Sequence, residues 1–172
     1  MVLVYIDQAD HQIKKSSLEA MSYAAAIAKQ LGCEAAALVL GTVQDPLAEL
    51  GKQGAQKVYH LKNEQLNTLD VKVHSHIIAT AAKNINATVV VLAHNINGKA
   101  IAPAVAVKLE ASLVTGASSL PTIENGFVVT KTVFSGKAFA SIQMDTPIKV
   151  IAIRSEEHTS ELQSPMYLVC RL

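Results

Sequence analysis

The ordering of apolar and polar positions is tightest over residues 88–109. Thr88, Val89, Val90, Val91, Leu92 and Ala93 follow one another without a charged or strongly polar break. Such a run suits a strand covered on both faces, in the middle of a parallel sheet. His94, Asn95, Asn97 and Gly98 then interrupt it with turn-forming residues. From Lys99 onward, Ile101, Val105 and Leu109 recur at helical spacing with Ala102 and Ala106 beside them. They predict a helix whose inward face they form, with Pro103 in its first turn, where a missing N–H does least harm. Strand, polar turn and helix make one βα unit. Its turn falls at the carboxyl edge of the sheet, where α/β proteins place ligands and partners.

The same logic runs through the earlier part of the chain. Val2–Ile6 predicts a first strand and residues 7–10 a loop. Ser16 and Glu19 carry the spacing of a capping box, with Ser16 as N-cap of a helix that runs through residues 20–31 and stops at Gly32. Residues 33–40 predict a second strand, and Asp45 with Pro46 starts a short helix towards Gly51. Lys57–Leu61 predicts a short third strand. Over Val71–Asn84, the residues Val73, Ile77, Ile78 and Ala81 give a helical stripe.

After Leu109 the texture changes. Residues 110–121 are small and polar, a long connection with Leu113 and Val114 as a short strand. Residues 127–134 and 137–144 alternate around a turn at Ser135 and Gly136, which predicts an antiparallel hairpin. Residues 147–153 are a last strand. Neither arm of the hairpin has a wholly polar face, so it is expected to leave an exposed apolar patch. Phe134 and Phe139 flank the turn and are the expected anchors for a partner.

Composition narrows the classes. The chain of 172 residues is 50% hydrophobic, enough for a core without disulfide or metal staples. A net charge of +1 gives no reason to expect nucleic acid or an acidic membrane surface. Arginine occurs only at Arg154 and Arg171, so bidentate arginine clamps are not expected in the main body. Cys33 and Cys170 have no zinc spacing and suggest no disulfide framework, which fits a reducing cytoplasm. No apolar run reaches membrane-spanning length and no basic leader precedes the first strand, so no membrane insertion is expected.

Candidate chemistry is sparse. His74 and His76 stand two apart on a helix and face different directions, against a paired metal site. His60 and His11 lack a ligand partner at suitable spacing, and His94 reads as either a structural or a catalytic histidine. Neither glycine-rich phosphate fingerprint occurs, although Gly98 and Lys99 before a helix could hold an anion. Ser112, Ser118 and Ser119 lack a nucleophile-elbow context, and Cys33 reads as core. No catalytic, cofactor-binding or metal site is assembled from these residues, so the chain is not expected to be an enzyme.

Three segments carry a resemblance. They are residues 98–109 (opening Gly98, Lys99, Ala100, Ile101, Ala102, Pro103), residues 128–138 around Ser135 and Gly136, and residues 148–154 ending Ala152, Ile153, Arg154. In order and spacing these resemble the N-terminal domain of the electron transfer flavoprotein alpha subunit, over about residues 1–153. Ala104 departs from the pattern, where many relatives have arginine after the proline. The resemblance implies an α/β fold: a parallel nucleotide-hydrolase-like (Rossmann-like) sheet with helices on both faces, plus an antiparallel β extension. It implies a heterodimer with the electron transfer flavoprotein beta subunit. In the intact subunit, FAD would take electrons from acyl-CoA or other flavoprotein dehydrogenases, in a bacterial cytoplasm. The flavin-binding second domain is expected to be absent from this chain, so no FAD is expected to bind it. Asn95, Asn97, Lys99, Phe134 and Phe139 are the candidate partner interface. A free-standing nucleotide-binding module of stress-protein type, using Gly41, Thr42 and residues 95–99, is the rival reading.

Residues 154–172 do not belong to this layout. Residues 154–164, and again 168–172, look like the translation of a short-read sequencing adapter. They are expected to be a non-native tail, dispensable for the fold.

Overall fold

Every residue of Val2–Ile6 (β1) is buried, because the sheet continues on both sides of it and helices cover both faces. The computed structural model describes residues 1–124 and 126–155. Besides β1, its strands are β2 (Gln8–Ala9), β3 (Gln12–Ile13), β4 (Ala35–Leu40), β5 (Lys57–Leu61), β6 (Val89–Ala93), β7 (Ser112–Ala117), β8 (Val128–Val133), β9 (Ala138–Gln143) and β10 (Lys149–Ile153). The helices are α1 (Lys15–Gln30), α2 (Glu49–Lys52), α3 (Val71–Asn84) and α4 (Ile96–Leu109).

The main sheet has eight strands in the order β5-β4-β1-β6-β10-β7-β8-β9. The first six in that order are parallel, and β8 and β9 add an antiparallel end. Alternation along β1 divides the core. Val2, Val4 and Ile6 face α1, while Leu3 and Tyr5 face α3 and α4. This is the α/β architecture expected, with helices on both faces and an antiparallel extension. The last strand, β10, inserts between β6 and β7, parallel to both.

Several local expectations are corrected. Helix α1 begins before Ser16: Lys14 is the N-cap, with no side-chain cap bond. Ser17 instead ties the helix to β1, its Oγ accepting from Asp7 N at 2.8 Å and donating to Asp7 O at 2.9 Å. Residues 7–10 are no simple loop, since β2 and β3 pair as a small hairpin. Helix α2 starts at Glu49, after Asp45 and Pro46, and the second strand starts at Ala35, after Cys33. Helix α3 has the expected bounds but a rotated face: His74, Ser75, Ile78, Ala79 and Ala82 are buried, and Val73 is exposed. The connection after α4 holds a full strand, β7.

Helix α4 buries Ile101, Ala102, Val105, Ala106 and Leu109, as expected, but it starts earlier. Asn95 is its N-cap and accepts from Gly98 N at 2.8 Å. Residues read as a turn therefore form the first helical turn, and Pro103 lies inside the helix.

Candidate functional site

The sheet reverses its winding between β1 and β6: from β1 the chain winds outward through β4 and β5, then crosses back to β6. In open α/β sheets this switch point is where a ligand crevice opens. Here it is closed by Asp7, which follows β1 and is 4% exposed. Asn95 Nδ2 donates to Asp7 Oδ2 at 2.8 Å, and Asn97 Nδ2 donates to both carboxylate oxygens at 3.0 and 3.1 Å. Lys14 Nζ completes the cage as an ion pair at 2.6 Å. A buried charge needs this full set of partners. Beside it, Tyr5 packs edge-on against the ring of His74, with centroids 6.3 Å apart. Burial pushes the Tyr5 phenol above its ordinary pKa, and the Asp7 charge adds to the effect. His74 Nδ1 is held against the Asp70 carbonyl at 2.9 Å.

The neighbouring edge is equally committed. Thr42 N and Oγ1 both donate to Asn67 Oδ1, at 2.7 and 2.9 Å. His11 Nδ1 bonds the Thr42 carbonyl at 2.9 Å, and His60 Nε2 bonds the Gly41 carbonyl at 2.8 Å. Gly41 has φ +88°, and a Cβ there would fall 2.5 Å from Asn67 Oδ1. The edges on which a nucleotide-binding module would rely are thus occupied by internal hydrogen bonds. The space left beside Tyr5, Asp7 and Asn97 is about 20 Å³. A phosphate at Gly98 is also disfavoured, since its N–H is taken by Asn95.

A second, open cleft of about 360 Å³ lies farther along the same edge, past β6. Lys99 from the first turn of α4, Lys131 from β8 and Arg154 after β10 line it, with Thr115, Thr132 and His94. Arg154 Nη1 donates to Thr132 Oγ1 at 3.2 Å, and Arg154 N donates to the Ala117 carbonyl at 2.9 Å. The tail expected to begin at residue 154 is therefore tied in at its first two positions. Ser155 is buried, and its hydroxyl donates to the Glu19 carboxylate. Residues 156–172 lie outside the described residues.

The hairpin extends beyond this cleft. Ala117 pairs with Lys131 between β7 and β8, and Ser118 N donates to the Thr130 carbonyl at 3.0 Å, whereas β8 and β9 pair along their full length. Along β9, Ala138, Ala140 and Ile142 are half-buried and alternate with exposed Phe139, Ser141 and Gln143. Phe134 is 79% exposed and Phe139 is 72% exposed.

The five candidate interface residues fall into three places. Asn95 and Asn97 are turned onto Asp7, Lys99 lines the cationic cleft, and Phe134 and Phe139 stand at the end of the hairpin. Asp7, Lys14, Lys131 and Arg154 were not foreseen. An acid directly after a buried strand, at the carboxyl edge, was the available signal for Asp7. Among the described residues, no group of three His, Cys, Asp or Glu side chains could hold a metal. Also among them, no helix is long and apolar enough to cross a membrane.

Comparison with known proteins agrees with this architecture. Residues 2–162 match the family model described as "Electron transfer flavoprotein domain". The chain is 29% identical to the electron transfer flavoprotein subunit alpha of Syntrophomonas wolfei, over 82% of this chain and 44% of that protein. It is 26% identical to the protein FixB of Clostridium saccharobutylicum, over 82% of this chain and 43% of that protein. The subunit alpha of Bacillus subtilis is also 26% identical, over 92% of this chain and 50% of that protein. The chain thus spans about half the length, or less, of these relatives.

Proposed function

The chain belongs to the electron transfer flavoprotein domain family, as an alpha-type N-terminal domain, and from that premise we propose that it is a scaffold that docks the beta subunit through its hairpin end. The observation that carries this reading is the exposure of Phe134 and Phe139, 79% and 72%, at the end of one hairpin. Two aromatic rings held in water are costly in a free domain and suit the desolvated centre of an interface. Phe127, Val129 and Met144 anchor the base of the hairpin in the core, and neither Phe134 nor Phe139 is part of that core.

In the intact subunit the activity is electron carriage: FAD would receive electrons from flavoprotein dehydrogenases and pass them on. On this reading the intact subunit holds its flavin outside the described residues. The described residues do not suit it at the switch point, where Asp7 places a caged carboxylate and the remaining gap is about 20 Å³. Their contribution is a rigid parallel sheet and a docking surface.

The test is co-expression with an electron transfer flavoprotein beta subunit, followed by affinity and melting measurements on Phe134→Ser, Phe139→Ser and the double variant. Each single change should weaken binding by about tenfold or more, the effect of a lost interface anchor. Each should leave stability within about 0.5 kcal/mol, as for exposed positions. A collapse of melting temperature with undiminished binding would place both rings in the core and the interface elsewhere.

A further inference from the structure

The cleft past β6 gathers three cations from three separate elements, in a chain whose net charge is only +1. Lys99 comes from α4, Lys131 from β8, and Arg154 from the residue after β10. Among the described residues, no carboxylate lines the cleft. Neither Lys99 nor Lys131 has an ion-pair partner among the described residues. Three like charges converging on one concavity repel one another, and an anion between them relieves that cost.

The lining also supplies direction. Arg154 is one of two arginines in the chain, and Thr132 Oγ1 orients its guanidinium at 3.2 Å. A guanidinium fixed in this way presents its donors as a fork, which suits phosphate oxygens better than a lysine point charge does. The hydroxyls of Thr115 and Thr132 add neutral donors beside it. A volume of about 360 Å³ lies at the small end of ligand sites, enough for a diphosphate and too little for a dinucleotide. The location is the carboxyl edge of β6 and β10, where α/β sheets receive ligands.

We propose that the cleft formed by Lys99, Lys131 and Arg154 binds a phosphate-bearing anion of diphosphate size. This is independent of the docking role of the hairpin. The same chemistry could arrive as free pyrophosphate or as the phosphates of a nucleoside diphosphate.

The experiment titrates the full chain with sodium pyrophosphate, and in a second arm with ADP, at constant ionic strength. Binding is followed by calorimetry and by ³¹P line width. Saturable binding at one site is expected, with Lys99→Gln and Lys131→Gln each weakening it by about tenfold or more, the loss of one charge-assisted contact. Lys99 is exposed, so its variant should melt with the parent protein, separating lost binding from lost folding. Tighter binding of ADP than of pyrophosphate would identify a nucleotide source; equal binding would identify the diphosphate alone. Absence of saturation would overturn the proposal. So would equal affinity in both lysine variants, or weakening in proportion to melting temperature alone.

Discussion

Gly98 lies directly against Ala93: a Cβ built on Gly98 would sit 1.8 Å from the Ala93 carbonyl oxygen. This close approach lets the first turn of α4 fold back on the end of β6, and it accounts for glycine there without any phosphate-binding role. Replacement by alanine must push helix and strand apart. Gly98→Ala should therefore cost about 3 kcal/mol, the upper range for overpacking, read as a lower urea midpoint at unchanged slope. A variant as stable as the parent would mean that α4 can shift freely.

Asp7 is the electrostatic centre of the carboxyl edge. Asp7→Ala removes the acceptor shared by Lys14, Asn95 and Asn97, and should cost about 3 kcal/mol, as for breaking a buried pair. Lys14→Gln should cost less, about 1 kcal/mol, because its side chain is 32% exposed and water screens it. Equilibrium unfolding of both variants checks the order. Equal losses would mean that the asparagines, and not the lysine, are the secondary partners.

Tyr5 and Tyr23 make the fold sensitive to alkali. Burial raises both phenols above their ordinary pKa of 10.0. The folded chain then holds these protons more tightly than the unfolded chain does. The associated stability is complete below pH 10 and is lost as pH rises past it towards the folded values. The melting temperature should fall across that window, and Tyr5→Phe should reduce the slope. A parallel pH profile for the Phe variant would remove Tyr5 from the account.

Ser155 belongs to the packed structure, since its buried hydroxyl bonds Glu19. Deleting residues 156–172 should leave stability within about 0.5 kcal/mol, as for surface changes. Ser155→Ala should cost about 1 kcal/mol, the typical worth of one hydrogen bond. Thermal melts of the two variants decide this. A loss of several kcal/mol on deletion would mean that the tail is native structure.

The sequence by itself determined the elements whose signal is local. The valines of β6 announce a strand covered on both faces, and its burial follows. The spacing of Ile101, Val105 and Leu109 marks the inward face of α4, which is the face that packs. The alternation around Ser135 and Gly136 specifies the hairpin, because the period of two and the turn lie within one short segment. Only the tertiary structure decided what depends on distant partners. Nothing within Lys149–Ile153 says that it slots between β6 and β7, since parallel pairing is chosen by the whole sheet. The inward face of α3 rotated away from Val73 because Tyr5 and the Asp70 carbonyl give His74 a place in the interior. Ser16 carries the spacing of an N-cap, but the helix starts before it, and its neighbour Ser17 ties α1 to Asp7. Asp7 looked like a loop acid, and its cage came from residues 88 and 90 positions away. Long-range partners compete with local preferences for the same polar groups. At the carboxyl edge, where a buried charge had to be satisfied, the long-range partners prevailed.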